Sequence, residues 1–303
     1  MRFGNVAVTG GNGALGKLVV GDLMRHAEVT ALDLRPGPRS IRSRYLDILS
    51  FEAVLDALKG HDAAVHLAAL LTLEHSEERI FSVNVQGTWN LLEAAHRLGI
   101  RRVVLLSSET TTGVITVRRV PRMRPDYLPI DENHPLASIE AYGLSKQVLE
   151  TLGRSYARRG MEVVVLRPTL IVMPWMQDYV RRVRGIDDPD LWSYVEAKDV
   201  VQGVRKSLLL DRPGFDAFYL SAADTFAPEP TLEFLTRVYG SLPEIRKPEI
   251  YRSNPFASMW DIAHARTVLG FAPQSDWRRL LEEPAIDETG SVRAAAADGS
   301  SGE

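Results

Sequence analysis

Tyr142 and Lys146 are four residues apart in the stretch EAYGLSKQVLE. Apolar residues at three- and four-residue spacing predict a helix here, so both side chains lie on one helical face. An ammonium beside a phenol stabilises the phenolate and lowers the pKa of the tyrosine, as general acid/base catalysis on an alcohol and carbonyl pair requires. The alternative is an exposed tyrosine beside a solvated lysine.

Ser107 and Ser108 end the apolar run RRVVLLSS, one crossover before Tyr142. Hydroxyls at the carboxyl end of a parallel strand lie where open α/β sheets bind ligands. Their position therefore favours a catalytic role for Tyr142.

Gly10, Gly13 and Gly16 follow an apolar run in the stretch VTGGNGALGK. Glycines between a strand and a helix permit a tight turn and close approach of a diphosphate to the helix N-terminus. Asp33 ends the next apolar run, about 20 residues on, where a carboxylate accepts the adenosine ribose hydroxyls. This spacing predicts an adenine dinucleotide; the alternative is that Asp33 caps a turn.

Asp33 also disfavours a 2′-phosphate, because two anions would face each other in a partly desolvated pocket. The predicted cofactor is therefore NAD. Arg35 leaves another reading open, since an arginine in this position can receive a phosphate. A third reading makes Arg35 a solvated turn residue before Pro36.

The elements that position these residues alternate between strands and helices. Apolar runs without polar alternation are typical of parallel strands covered by helices on both faces. We predict an α/β fold: a doubly wound parallel Rossmann-type sheet with a small C-terminal substrate-binding part. The predicted strands are NVAVTG, EVTALDL, DAAVHLAAL, RRVVLLSS, EVVVLRPT and DAFYLSAAD, and the helices include GALGKLVVGDLMRHA, SFEAVLDALKG, VNVQGTWNLLEAAHRLG and AYGLSKQVLETLGRSYARRG.

Stretches that break this alternation divide the chain. Residues 1–168 are predicted to form the NAD-binding domain, to which residues 194–223 return. Residues 169–193 and 224–286 are irregular but keep aromatic and apolar residues, so we predict a substrate-binding cap. Residues 287–303 include AAAADGSSGE, which has no apolar pattern, and are predicted to be a flexible tail.

The composition of the chain excludes several classes of function. A net charge of −3 and the lack of a long basic stripe argue against nucleic-acid and membrane partners. The absence of cysteine removes disulfides and thiolate sites, and His66 and His134 show no metal-ligand spacing. We predict a cytoplasmic protein that binds a small-molecule substrate and no metal.

Six short motifs recur in one family: TGGNGALG at Thr9–Gly16, HLAAL at His66–Leu70, NVQGT at Asn84–Thr88, SSE at Ser107–Glu109, YGLSK at Tyr142–Lys146 and LRPT at Leu166–Thr169. With them the chain resembles the extended short-chain dehydrogenase/reductases, or NAD-dependent epimerase/dehydratase family, up to about residue 285. The resemblance implies that Ser108, Tyr142 and Lys146 are catalytic, and that Lys146 also holds the nicotinamide ribose.

The resemblance also implies a set of cofactor contacts. Asp47 and Ile48 would contact adenine, and Ala68 and Ala69 would line the diphosphate and ribose. The alternatives are a helix N-terminal acid for Asp47 and close-packing residues for the alanines. The full implied set is Gly10, Gly13, Ala14, Leu15, Gly16, Asp33, Leu34, Arg35, Asp47, Ile48, Leu67, Ala68, Ala69, Asn84, Tyr142, Lys146 and Pro168.

Departures from the family narrow the reaction. Sugar dehydratases of this family carry two acids after the catalytic hydroxyl, whereas this chain has Glu109 and Thr110, which disfavours dehydration. Only about 25 residues separate Arg167 from SYVEAKDV, where nucleotide-sugar epimerases carry a long insert. We therefore expect a smaller substrate, as in the uronate dehydrogenase-like branch.

Several side chains in the irregular segments are candidates for substrate contact. An arginine can clamp a carboxylate and a tryptophan can stack on a sugar ring, whereas surface solvation and core packing are the alternatives. The predicted substrate contacts are Glu109, Thr110, Trp175 and Arg181, and further candidates are Trp192, Arg118, Arg119, Arg122, Arg124, Arg182 and Arg184.

We predict an NAD-dependent oxidoreductase that transfers hydride between the nicotinamide and a secondary alcohol or ketone of a small sugar, sugar acid or polyol. The alternative is an NAD-dependent sugar or nucleotide-sugar epimerase that holds NAD tightly. A dinucleotide-binding subunit without chemistry is disfavoured, because such proteins usually lose the tyrosine or lysine. Helices at Asn84–Leu98 and Tyr142–Arg159 resemble the pair through which the family forms dimers, so a homodimer is expected.

Overall fold

The computed structural model describes residues 3–71, 75–116, 123–183, 191–284 and 286–287. Four predicted candidates, Arg118, Arg119, Arg122 and Arg184, lie outside these ranges, as does the predicted tail from residue 288 onward.

Strands and helices alternate along the first two thirds of the described chain. The strands are β1 (Asn5–Thr9), β2 (Glu28–Asp33), β3 (Ser43–Tyr45), β4 (Ala63–His66), β5 (Arg102–Leu106), β6 (Tyr127–Leu128), β7 (Glu162–Pro168), β8 (Leu170–Val172), β9 (Tyr194–Glu196), β10 (Phe215–Leu220) and β11 (Glu244–Ile245). The helices are α1 (Ala14–Leu23), α2 (Phe51–Leu58), α3 (Glu77–Arg97), α4 (Ala141–Arg158), α5 (Gln177–Val183), α6 (Ala197–Leu209), α7 (Thr231–Tyr239), α8 (Pro248–Ser253) and α9 (Trp277–Glu282). A 3₁₀ helix spans Glu109–Thr112 and a π-helical turn spans Ala265–Leu269.

Seven parallel strands form the central sheet in the order β10-β7-β5-β4-β1-β2-β3. The chain runs outward from β1 to β3 and then returns to β4 on the other side of β1, so the strand order reverses between β1 and β4. Open α/β sheets bind ligands at the carboxyl ends of the strands beside such a switch point. The predicted doubly wound parallel sheet is confirmed, and all six predicted strands belong to it.

The sequence does not predict β3. This edge strand contains only Ser43, Arg44 and Tyr45, and all three residues are exposed. An edge strand that buries no side chain leaves no apolar run to recognise.

Helices cover both faces of the sheet, and neighbouring residues of a strand belong to different cores. In β1, Val6 and Val8 pack in the core under α1 and α6, whereas Ala7 packs in the core under α2, α3 and α4. Because both faces of each central strand are buried, the strands consist of continuous apolar residues.

The chain returns to the central sheet after the irregular segment that contains α5. Strand β10 pairs with β7 from Phe215 opposite Val163 to Leu220 opposite Pro168. Helix α6 packs against β5, β7 and α1. This return places Leu220 opposite Pro168, the last residue of β7.

The C-terminal part is attached through carboxylates at the junction of β9 and α6. Glu196 accepts the backbone N–H of Asp276 at 2.7 Å, and Asp199 accepts that of Gln274 at 2.8 Å. These bonds hold the segment that leads into α9.

Trp192 lies in the core of the C-terminal part. Its side chain is 1% exposed, its ring lies 4.1 Å from that of Phe234, and its indole N–H donates to the Val183 carbonyl at 3.1 Å. The packing alternative therefore applies to Trp192, which cannot stack on a sugar. Within the described residues, no helix combines the length and apolar content needed to cross a bilayer.

Candidate active site

The glycine turn joins the end of β1 to the start of α1. Gly10 has a φ of +70°, and a Cβ on it would come within 2.8 Å of the Ala68 nitrogen. A Cβ on Gly16 would overlap the Gly10 carbonyl oxygen. Gly13 is the N-cap of α1 and supplies no side-chain cap, so the first N–H groups of the helix face the turn. Larger residues would close this cradle, which suits a diphosphate.

The adenosine end of the site is marked by Asp33 at the end of β2. One carboxylate oxygen accepts the Asn12 N–H at 3.1 Å, and the other accepts the Arg35 N–H at 3.0 Å. Each oxygen keeps a further lone pair for a ribose hydroxyl. The Arg35 side chain is 72% exposed, and its Nε lies 3.7 Å from the carboxylate of Asp33. The two residues predicted to decide cofactor preference therefore meet at one point beside the glycine turn.

The loop after β3 carries the predicted adenine contacts, and α3 holds it in place. Asp47 accepts the Leu49 N–H at 2.9 Å, so its carboxylate shapes the loop. A Cβ on Gly87 would overlap the Ile48 side chain, so this glycine permits close packing of α3 on the loop. Asn90 donates to the carbonyls of Ile48 at 2.8 Å and Leu49 at 3.0 Å. In the sequence, the only indication that Asn90 holds this loop is its position one turn after Gly87.

Asn84 connects the loop after β4 to α4. Its side-chain oxygen accepts the Leu70 N–H at 2.8 Å, and its amide nitrogen donates to the Leu70 carbonyl at 3.0 Å and to the Ser145 hydroxyl at 3.0 Å. Ser145 in turn donates to the Tyr142 carbonyl at 2.7 Å. The loop that contains Leu67, Ala68 and Ala69 is thereby tied to the helix that carries Tyr142.

Lys146 lies at the bottom of the site, 3% exposed, one turn after Tyr142 on α4. Its ammonium donates to the Leu106 carbonyl at 2.8 Å and lies 5.6 Å from the centre of the Tyr142 ring. Burial lowers the pKa of Lys146 to about 8. The predicted pair is therefore brought together, but in this structure the ammonium binds a backbone carbonyl.

The environment of the Tyr142 phenol differs from the sequence prediction. Burial raises its pKa, the charges of Glu140 and Glu109 raise it further, and a hydrogen bond with Ser108 opposes them. The pKa of the Tyr142 phenol is therefore raised and not lowered in the protein without cofactor, where burial is the largest cause and the Lys146 ammonium donates to the Leu106 carbonyl.

Ser108 and Ser107 face different partners. Ser108 accepts from both the backbone N–H and the hydroxyl of Thr110, at 3.2 and 3.0 Å, and it is also hydrogen-bonded to the Tyr142 phenol. Ser107 donates to the buried carboxylate of Glu150 at 2.7 Å. Arg167 binds the same carboxylate with two bonds, at 2.9 and 2.7 Å. Glu150 therefore joins the ends of β5 and β7 to α4, and its signal in the sequence is its position one turn after Lys146.

The predicted substrate contacts differ in how deeply they are buried. Glu109 and Thr110 are buried in the 3₁₀ helix, which approaches α4 closely, since a Cβ on Gly143 would come within 2.6 Å of the Thr110 carbonyl. Trp175 is half-buried between β8 and α5. Arg181, by contrast, is 48% exposed and pairs with Asp178 at 3.0 Å while it donates to the Leu281 carbonyl.

The other described arginines of the irregular segments also have contacts within the protein. Arg124 donates to the Leu242 carbonyl, and the Arg182 guanidinium lies 5.8 Å from the centre of the Tyr179 ring. In this structure Arg124, Arg181 and Arg182 are therefore exposed surface residues, which is the alternative to substrate contact.

These residues fit an adenine dinucleotide. A Cβ on Gly10 or Gly16 would meet neighbouring backbone, α1 begins without a side-chain cap, and Asp33 keeps acceptors for a ribose. Lys146, Tyr142 and Ser108 lie at the other end, where a nicotinamide ribose and a substrate would meet. Among the residues that the structure describes, no group of three or more histidines and carboxylates is placed to hold a metal ion.

Known proteins match this chain in both sequence and fold. The model of the NAD dependent epimerase/dehydratase family matches residues 6–185. The chain is 31% identical over 221 residues to the L-arabinose 1-dehydrogenase (NAD(P)(+)) of Haloferax volcanii, which covers 69% of this chain and 84% of that protein. It is 33% identical over 172 residues to the uronate dehydrogenase of Pseudomonas putida, which covers 54% and 60%.

A solved structure has the same fold. A short-chain dehydrogenase/reductase superfamily protein from Agrobacterium tumefaciens, solved with bound NAD, superposes with a TM-score of 0.70 at 25% identity over 94% of this chain and 96% of that one. The family match spans more than half of the chain. The chain therefore belongs to the NAD-dependent epimerase/dehydratase family, the extended short-chain dehydrogenase/reductases.

Proposed function

We propose that this protein is an NAD-dependent dehydrogenase of a small sugar, sugar acid or polyol, with Tyr142 as general acid/base. The observation that carries the proposal is the meeting of Tyr142, Lys146 and Ser108 at the carboxyl edge of the sheet, the same edge that carries the glycine turn. Two relatives named for L-arabinose and for uronate support a small substrate.

The proposed roles follow from where the side chains lie. The substrate hydroxyl binds between Ser108 and Tyr142, and Ser108 orients its oxygen. The phenolate of Tyr142 takes the hydroxyl proton while the carbon-bound hydrogen leaves as hydride. NAD, when bound, supplies the hydride acceptor. Lys146 would hold the nicotinamide ribose and would favour the phenolate through its charge.

Substrate size is part of the proposal. Between β7 and β9 only about 25 residues are available to build a pocket. A free sugar, sugar acid or polyol fits this length better than a nucleotide sugar. UDP and dTDP should accordingly not compete with the substrate.

An epimerase is the second candidate, and it is favoured by a 32% identical relative named as a putative UDP-glucose 4-epimerase. A dehydrogenase must exchange NAD with solvent after each turnover, whereas an epimerase regenerates NAD in place and retains it. The absorbance of cofactor released from the denatured, purified protein separates the two. A stoichiometric amount of released NAD would favour the epimerase.

We also propose a homodimer in the cytoplasm, where the NAD that a dehydrogenase exchanges is available. Helices α3 and α4 pack side by side, and each carries an exposed large apolar residue, Trp89 on α3 and Leu144 on α4. These residues support a helical interface. Light scattering on the purified protein tests the proposed dimer, and a monomer at micromolar concentration would contradict it.

The function is tested by following NAD reduction with a panel of aldoses, polyols and uronic acids. We expect turnover of at least one member, with no inhibition by UDP or dTDP. Saturable binding of a nucleoside diphosphate at a site distinct from that of NAD would refute the proposed substrate class.

A further inference from the structure

His66 has no role in the proposed reaction, yet it occupies the switch point of the sheet. It ends β4, opposite Thr9 at the end of β1. The imidazole is buried, with Nδ1 2.7 Å from the Thr9 hydroxyl and Nε2 3.2 Å from the Thr88 hydroxyl. The ring therefore bridges β1 and α3 below the dinucleotide site.

The neighbours of the ring determine where its hydrogen lies. Thr88 donates its hydroxyl hydrogen to the Asn84 carbonyl at 2.7 Å, so towards His66 its oxygen can only accept. Nε2 must therefore carry the hydrogen, and Nδ1 must be an acceptor. It follows that Thr9 donates its hydroxyl hydrogen to Nδ1.

This direction fixes what the Thr9 oxygen can do. With its hydrogen committed to His66, its lone pairs point to the Ala68 N–H, 3.5 Å away. The Thr9 carbonyl accepts the N–H of Leu67, the residue before Ala68, at 3.1 Å. Thr9, which immediately precedes the glycine turn, is thus bonded to two residues of the loop after β4.

The spacing that Thr9 sets is tight. The Cα of Gly10 lies so close to the loop that a Cβ would come within 2.8 Å of the Ala68 nitrogen. The glycine turn and the loop that contains Ala68 and Ala69 are the two walls of the predicted diphosphate site. A rotated Thr9 hydroxyl would release one wall from the other.

We propose that His66 is a positioning residue for NAD, a neutral imidazole that locks the Thr9 hydroxyl and thereby holds the loop at Ala68 against the glycine turn. The inference rests on the proposed NAD-dependent function. The ring stays neutral at working pH, because burial and the nearby charge of Lys146 lower the pKa of His66 to about 3. Removing the ring should therefore change NAD affinity without introducing a new titration.

The test is the dissociation constant of NAD, measured by calorimetry on cofactor-free protein. His66→Phe keeps a buried ring but loses both hydrogen bonds, and the constant should rise on the order of tenfold. His66→Asn keeps an acceptor in the place of Nδ1, so it should bind NAD within about threefold of the parent. His66→Gln extends only towards Thr88 and should resemble His66→Phe.

Two further variants separate positioning from general stability. Thr9→Val keeps the shape of Thr9 but removes the hydroxyl, and should weaken NAD as His66→Phe does, even if the His66 variants fold poorly. His134→Phe is the matched control: this buried ring accepts the Asp126 N–H and bonds the Pro135 carbonyl, each at 3.0 Å, so its loss should lower the melting temperature only.

Parental NAD affinity in His66→Phe or Thr9→Val would overturn the inference, as would equal losses in His66→Asn and His66→Phe. If the parent protein itself failed to bind NAD, the proposed function would fail instead. A change in the pH profile of turnover in His66→Gln would assign the ring a proton-transfer role and would also overturn the inference.

Discussion

Lys146→Met should make the cofactor-free protein more stable while it removes most of the activity. Lys146 is 3% exposed, and burial lowers its pKa from 10.5 to about 8. A base whose pKa falls on folding loses solvation of its charged form, so the charge opposes folding at neutral pH. Methionine has a similar length and no charge.

The size of the effect follows from two contributions. A fall of the pKa from 10.5 to about 8 corresponds to about 3 kcal/mol of lost stability at pH 7. The variant also removes the bond to the Leu106 carbonyl, made at 2.8 Å, which should cost about 1–2 kcal/mol. We expect a net gain of about 1–2 kcal/mol, or roughly 2–4 °C in the melting temperature.

The gain should depend on pH. Between about 8 and 10.5 the unfolded parent binds more protons than the folded parent, so parental stability rises with pH across this window. The advantage of Lys146→Met is therefore complete below pH 8 and disappears as the pH approaches 10.5.

Urea unfolding of the cofactor-free parent and variant, at pH 7 and at pH 10, measures this difference. Lys59→Met, which removes an exposed ammonium paired with Asp56, is the control and should change stability by less than about 1 kcal/mol at either pH. A variant that is less stable than the parent at pH 7, by an amount that does not change with pH, would refute the reasoning.

Three other predictions concern the proton carrier, the cofactor and the core. Tyr142→Phe should lower turnover about 10²- to 10⁴-fold with NAD affinity unchanged, and near-parental turnover would exclude Tyr142 as the general acid/base. Asp33→Ala should weaken NAD by about 1.5–3 kcal/mol and NADP by less in equilibrium binding, unless the parent already prefers NADP and Arg35 decides the preference. Arg102→Met should lower the free energy of unfolding by about 3–5 kcal/mol, because the buried guanidinium binds Glu162 and the carbonyls of Ser207 and Leu210. The neighbouring Arg101→Met, whose exposed side chain also pairs with Glu162, should change it by less than about 1 kcal/mol.

The sheet could be predicted from the sequence because each central strand buries both of its faces. That burial leaves apolar runs such as VVLL in β5 and VVVL in β7, which are visible without any tertiary information. Helix boundaries are less visible. Helix α3 begins at Glu77, six residues before the predicted start, because Ser76 caps it and two glutamates occupy its first turn. These capping signals were present in the sequence, but the apolar pattern starts later.

The sequence indicates which residues belong to the candidate site, but not the tertiary contacts that hold them in place. Glycines, Asp33, Tyr142 and Lys146 have fixed spacings along the chain, so local geometry is enough to recognise them. Asn90 and Glu150, by contrast, act through partners that lie far away in sequence, such as Ile48 and Arg167. Whether an asparagine or glutamate on a helix is solvated or buried depends on what packs against it, which the sequence alone does not state.

Burial is the largest cause of the perturbed pKa values of both Tyr142 and Lys146, and it connects them. Burial raises the pKa of the phenol and lowers that of the ammonium, so each charged form is disfavoured when it stands alone. The state that takes a proton from an alcohol holds both charges, and there each charge offsets the desolvation of the other. The pH dependence of turnover should therefore report the pair and not either residue. In Lys146→Met the phenol keeps its burial and the charges of Glu140 and Glu109 but loses its counter-charge. The rise of residual alcohol oxidation with pH should then move to higher pH than in the parent, and an unshifted profile would show that Lys146 does not make the phenol acidic.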